Sequence, residues 1–385
     1  MAAAFETAEY RERIAKVSAE MERQGLETLV LFQESHMGYL TGYDGYSDYV
    51  PQCAVLRAGD TKTTLVLREM DIHCAYPTID PAVTVVDHYP ESCIGTPDRS
   101  PWDVIGARIL EIAGKGAIGF EFGAATYNFG YHNALVKALQ GRAMSNGSSV
   151  MPRVKIRKSA AELDCMRKAA SIVDRALQNG LAMVAEGVRQ CDVAARVHHD
   201  LVEGTGGVGG GPHKALTMPT GPGVAQAPHL KWTDAPFRRG DQTDFEAGAT
   251  VHRYTVGLSR TSIVGTPTDR LKRADAAARA GFEAALGAVK PGARCCDVHA
   301  AFKAAFEPHG FRKESRIGYS IGLDWGDLCF SLQADDTTVL EPGFTMHIIV
   351  GIWEPEDAYV FSETVEVRDD KGHSLANTPR KLFVC

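Results

Sequence analysis

The chain has 385 residues, with 41 Lys and Arg against 48 Asp and Glu for a formal net charge of −7, and 44% of its residues are hydrophobic. That supply of apolar side chains supports a buried core, and the length exceeds what one core usually serves, so two domains are expected. A mildly acidic balance without a Lys/Arg block excludes a surface that neutralises nucleic-acid phosphates or an anionic membrane, and leaves a small molecule as the expected partner.

In chain order, a charged helical stretch at about 7–24 leads into a buried strand at Glu27–Phe32. Strand-like runs follow at 53–57, 63–67 and 82–86, and a helix at 104–113, the alternation of an α/β layer. The turn-rich Asn146-Gly-Ser-Ser149, then Pro152 and the basic run Arg153–Lys158, mark a junction. The expected domains are therefore 1–152 and 153–385. Ser159-Ala-Ala-Glu162 has capping-box spacing, and Leu163, Met166, Ala170, Val173, Leu177 and Leu181 continue as one amphipathic helix. Further helices are predicted at about 192–203, 269–289 and 297–308, and strands near 243–254, 344–353 and 359–367. That pattern makes the second half α+β, with helices against an antiparallel sheet.

Six glycines within 204–211 lack the G-K-[ST] of a phosphate loop, so a flexible or close-packed loop is the better account. The nine cysteines are scattered with no C-x-x-C, which fits reduced thiols and suggests neither a disulfide framework nor a zinc knuckle. Residues 1–10 read as no secretory signal, and no run approaches the roughly 20 apolar residues of a membrane span. A cytoplasmic protein is expected.

Three clusters carry the chemistry. The first runs from Ala227-Pro-His229-Leu-Lys-Trp232 through Gly240-Asp-Gln-Thr-Asp-Phe-Glu246-Ala-Gly248 to Arg253-Tyr254 and Ser259-Arg-Thr261. The second is Arg316-Ile-Gly-Tyr-Ser-Ile-Gly322 with Asp324-Trp-Gly326, and the third is Met346-His-Ile-Ile-Val-Gly-Ile-Trp353 with Ser362-Glu363. In this order and spacing they resemble the pita-bread (creatinase/aminopeptidase) superfamily, over residues 150–385 and more loosely over the N-terminal half. The resemblance implies an α/β N-terminal domain and an α+β pita-bread C-terminal domain with an antiparallel sheet and flanking helices.

Metal-dependent members hold two hard cations on two aspartates, a histidine and two glutamates. Here the first aspartate position is Glu246, the second falls on Gly257 or its neighbours, the histidine position is Tyr319, and the glutamate before P-G is Ile349. Glu363 remains, with its register open by one residue. No metal and no cofactor are therefore expected, and the segments look more like the metal-free branch, closest to ectoine hydrolases and more distantly creatinases. Creatinases carry a glutamate before the Arg-Thr pair where this chain has Ser259. Thr255-Val-Gly257 also departs from the ectoine-hydrolase pattern.

An amidinium carbon already carries positive charge, so a placed anion or base and a proton donor can replace the cations. On this likeness Glu246 attacks the carbon or deprotonates a water, His229 is the acid/base, and Glu363 orients the amidine N–H groups. Tyr319 and Trp325 wall the ring. Tyr254, His347 and Trp353 are further candidates for substrate binding, with Tyr46 and Tyr49 on an N-terminal loop. The same residues also have structural readings: Glu246 as a partner of Arg253 or Arg260, His229 as a turn hydrogen-bonder, and His347, Tyr319 and Trp353 as core. The expected reaction is ring opening of a small cyclic amidine, ectoine first, to N-acetyl-2,4-diaminobutyrate. The alternatives are a creatinase-type guanidine hydrolase, a divergent Xaa-Pro dipeptidase and an inactive ligand-binding homologue. The resemblance also implies a homodimer.

Overall fold

The chain folds as two units, Met1–Lys155 and Ile156–Cys385. The computed structural model describes residues 3–96, 98–211, 216–327, 329–354 and 357–385.

The first unit contains α1 (Thr7–Arg23), β1 (Leu26–Leu31), α2 (Glu34–Thr41), β2 (Cys53–Arg57), β3 (Thr63–Arg68), α3 (Ile72–Ala75) and β4 (Thr84–Tyr89). It continues with α4 (Pro101–Ile112), β5 (Ala117–Phe120), α5 (Phe129–Ala138), β6 (Met144–Asn146) and α6 (Val150–Lys155). Its strands form one sheet in the order β4-β3-β2-β1-β5-β6. The pairs β1–β2 and β2–β3 are antiparallel, and the outer pairs are parallel. Ser100 caps α4 with Pro101 in the first turn, so the helix starts three residues before the predicted 104 and buries Trp102, Ile105 and Ile109 on the sheet.

In the second unit α7 (Ala160–Met183) starts at the capping box foreseen at Ser159 and Glu162. There follow α8 (Gln190–Glu203), β7 (Leu216–Thr217), β8 (Gln242–Val251), β9 (Tyr254–Ile263), α9 (Asp269–Ala288) and α10 (Cys295–Phe306). The unit closes with β10 (Gly318–Ser320), β11 (Ser331–Leu332), β12 (Thr345–Glu354), β13 (Asp357–Val367), β14 (Gly372–Ser374) and β15 (Phe383–Val384). The sheet runs β11-β10-β12-β13-β9-β8-β7, with β14 on β13 and β15 beside β9. It is antiparallel apart from the β15–β9 pair. α9 and α10 cover one face through Phe282, Phe302 and Phe306, packed with Ile348, Val350 and Phe361.

The strand predicted at 243–254 is corrected by the structure. The chain reverses at His252 and Arg253, whose φ values are +49° and +69°, and β9 runs back beside β8. Two left-handed residues make the tight turn that suits the twist of a hairpin. The glycine-rich segment is packed closely at its two ends and open between them: a Cβ on Gly211 would stand 2.9 Å from the Thr250 hydroxyl, one on Gly204 or Gly210 would collide with backbone carbonyls, and one on Gly206 or Gly207 would meet nothing within 4 Å.

Candidate active site

Antiparallel partners in a sheet point their side chains to the same face. Glu246 pairs with Ser259, Ser259 with Ser362, and Ser362 with Ile349. These four residues therefore share the face turned away from α9 and α10. His347 pairs with Tyr319 two residues along β12 and joins them. A cavity of about 300 Å³ opens on this face, lined among others by Glu246, Asp244, His229, Tyr319 and Trp353.

Glu246 is the centre of the arrangement. Its Oε1 accepts from the Ser259 hydroxyl at 3.3 Å, and Ser259 in turn accepts from the Ser362 hydroxyl at 2.7 Å. His347 Nε2 lies 3.5 Å from the same oxygen, and His347 is buried with neither ring nitrogen hydrogen-bonded. The structural reading of Glu246 as a partner of Arg260 is overturned. Arg260 occupies the opposite face, where its guanidinium pairs with Glu363 and donates to the carbonyls of Ser259, Ser362, Thr378 and Pro379.

Trp325 and Tyr319 stand beside His347 on this face. The indole Nε1 donates to the Tyr319 hydroxyl at 2.9 Å, and the Trp325 and Tyr319 rings lie 5.3 and 5.6 Å from the His347 ring. Gly248 and Gly257 face each other across β8 and β9 and make room for the indole. A Cβ on Gly257 would meet Trp325 at 2.7 Å and His347 at 2.9 Å. Trp353 folds back over Gly351, where a Cβ would meet its ring at 2.5 Å. His229 is exposed on the loop at the cavity's edge.

Three expectations are redrawn. Glu363 follows Ser362 and so points to the other face, where it is fully buried against Arg260; it does not line the cavity and cannot orient a bound amidine there. Its burial pushes the carboxyl above its usual range despite the two arginines nearby. Ser362 takes its place on the cavity side. Tyr254 is also removed from the site: it lies about 17 Å along β9 from Ser259 at strand spacing, and its hydroxyl donates to Glu162 of α7. Tyr46 and Tyr49 belong to the first unit, where they are 77% and 64% exposed. Their loop is held by Glu34, which accepts from the Ser47 N–H and the Gln52 side chain.

Sequence reasoning gave no role to Asp244, Lys313 or Arg316, all of which line the cavity. Asp244 Oδ1 accepts from the Thr261 hydroxyl and the Gln242 amide, and complete burial pushes its carboxyl up to about 7. The only sequence signal was its position two residues from Glu246, on the same side of β8. A raised folded-state value means that ionisation opposes folding, so the native state loses stability as pH rises from about 4 to about 7. Asp244→Asn removes that titration. Its melting temperature should exceed wild type at pH 8, with the gap closing toward pH 4; parallel pH profiles would contradict the assignment.

Comparison with known proteins agrees with this architecture. Residues 13–156 match the Creatinase/Prolidase N-terminal domain and residues 164–369 match metallopeptidase family M24. The chain belongs to the M24 family, a family of hydrolases, and has its two-domain pita-bread fold. It is 33% identical to the ectoine hydrolase of Halomonas elongata, covering 99% of this chain and 98% of that protein. It is 34% identical to an uncharacterized hydrolase/peptidase, y4tL, of Sinorhizobium fredii, covering 99% and 97%. Among solved structures, dipeptidase PepE of Mycobacterium ulcerans superposes with a TM-score of 0.83 at 24% identity, over 99% of both chains.

The family name implies a metal centre, and the residues present do not fit one. Gly257, Tyr319 and Ile349 offer no carboxylate or imidazole at three of the ligand positions, and the space over Gly257 is filled by the Trp325 and His347 rings. Among the described residues, a group of three His, Cys, Asp or Glu side chains close enough to share an ion occurs at His199, Asp200 and Glu203 on α8, outside this cavity. Gly257→Asp, which puts a carboxylate where the resemblance expects the family's second aspartate, at Gly257 or its neighbours, should therefore cost about 1–3 kcal/mol by overpacking and gain no metal. A thermal melt with and without Mn²⁺ reads this, and a metal-dependent rise in the variant would contradict it.

Proposed function

We propose that this protein is a metal-independent hydrolase that opens a small cyclic amidine, with ectoine as the first substrate. The observation that carries the proposal is a cavity-lining carboxylate, Glu246, that makes no ion pair with a described Lys or Arg, in a site where the Trp325 ring crowds Gly257, the position at which the family likeness expects an aspartate. Full-length likeness to an ectoine hydrolase supports the same reading.

A flat amidinium lies against aromatic walls, with its electron-poor carbon facing the Glu246 anion. Glu246 either adds to that carbon or takes a proton from a water that does so. In both routes a C–O bond forms and the C–N bond breaks; where Glu246 itself adds, a water then attacks the glutamyl intermediate and breaks its bond to Glu246, restoring the carboxylate. The departing nitrogen receives a proton from His229, and the net change is one water added across the bond. Ser259 and Ser362, as successive hydroxyl donors, hold the Glu246 oxygen in place. His347 lies on its other flank and can steady the carboxylate when protonated.

A homodimer in the cytoplasm completes the proposal. The exposed Tyr46 and Tyr49 are the residues that the family likeness sends to a partner subunit's pocket. No helix among the described residues is long and apolar enough to cross a membrane.

The test is incubation with ectoine and, separately, with creatine, followed by mass spectrometry. Gain of one water by ectoine alone is the expected result. Hydrolysis of creatine would redirect the assignment to a guanidine, and binding of ectoine without turnover would make the protein a binding homologue.

A further inference from the structure

The segment that leads into β10 puts two cations on the cavity wall without giving them an anion among the described residues. Lys313 is 7% exposed, and its ammonium donates to the Ser315 hydroxyl at 3.1 Å and the Gly351 carbonyl at 3.4 Å. Arg316 lies over the Tyr319 ring, 4.3 Å from its centroid, and donates to the Ser331 hydroxyl at 3.2 Å. Neither makes an ion pair with a described carboxylate. A buried charge is normally paired, because an unpaired one forfeits its hydration without compensation. That deficit shows in Lys313: burial alone, with no acid to offset it, lowers its ammonium to about 8.

We infer that Lys313 and Arg316 form an anion subsite of the cavity, and that the substrate carries a carboxylate which seats there while its cationic carbon faces Glu246. The inference rests on the amidine reading of Glu246 for its second half only. Opposite charges at two positions on the cavity wall match a zwitterion in one orientation. An amidine without a carboxylate leaves Lys313 buried and uncompensated, so the subsite also discriminates between substrates. Arg316 contributes a planar fork that can take both carboxylate oxygens, and Lys313 a point charge beneath it.

The experiment compares ectoine with 2-methyl-1,4,5,6-tetrahydropyrimidine, the same ring lacking the carboxylate. In wild type, kcat/KM should favour ectoine by roughly a hundredfold, as for loss of a charge-assisted contact. In Lys313→Met and in Arg316→Gln that preference should collapse to within roughly tenfold, mainly through KM for ectoine. Arg316 is exposed, so its variant tests the subsite even if the Lys313 variant misfolds. Equal kcat/KM for the two rings in wild type would overturn the inference. If neither ring is hydrolysed, the amidine reading fails and the anion subsite is judged by itself. Propionate is then the probe, and acetylation of Lys313 by acetic anhydride is followed by peptide mass. Protection by propionate in wild type that is lost in Arg316→Gln supports the subsite, and no protection refutes it.

Discussion

Glu246→Gln should lower the rate of amidine hydrolysis by roughly 10⁴-fold or more while leaving the protein folded. The size follows from what is removed: a catalytic group that acts as a unit with its proton donor takes most of the rate with it. The fold should survive because no described Lys or Arg depends on this carboxylate for charge balance, and a glutamine still offers an oxygen to the Ser259 hydroxyl. The stability change should stay within about 1 kcal/mol. Turnover and a thermal melt on the same preparation check both halves. Retained activity in the folded variant would remove Glu246 from the chemistry.

Glu363→Ala should do the reverse, costing stability and touching the chemistry only through it. The change strands Arg260, a guanidinium with no exposed surface, whose other hydrogen bonds tie β9 and β13 to the C-terminal segment at Thr378 and Pro379. Removing one partner of a buried ion pair costs about 3–5 kcal/mol, because the remaining charge is left in a poorly solvating interior. For a unit of this size that corresponds to a fall in melting temperature of roughly 10 °C or more. Glu363→Gln keeps a hydrogen-bond acceptor for Arg260 and should cost less. Its folded fraction should hydrolyse substrate at a rate near wild type. A well-folded, inactive Glu363→Gln would return that residue to the site and contradict the face assigned to it.

Much of the scaffold was legible because local signals and burial agree. The capping box at Ser159 and Glu162 fixed the start of α7, and the apolar rhythm carried it to Leu181, two residues from the observed end. The hairpin between β8 and β9 was not legible. His252-Arg253 reverses the chain with two left-handed residues but lacks the Asn-Gly signal of such turns, and β9 is buried on both faces, so it shows no alternation. That omission explains the misplacement of Tyr254. The error at Glu363 has the same origin, since one residue of register exchanges the two faces of a strand, and sequence alone did not say which of Ser362 and Glu363 faced inward.

The part of the proposed site that the sequence points to is where a residue departs from a family pattern. Gly257 and Tyr319 are such departures, and Trp325 packs over the one and hydrogen-bonds the other. Asp244 and Lys313 were not legible, because their significance lies in burial and in the lack of a counter-charge among the described residues, which only the folded arrangement shows.

The central claim is that a positively charged carbon on the substrate replaces the metal pair of the family. Metal analysis of the purified protein, with ectoine hydrolysis assayed in excess chelator, tests it most directly. The account predicts substoichiometric metal and an undiminished rate. Stoichiometric Mn, Co or Zn together with hydrolysis abolished by the chelator would contradict it.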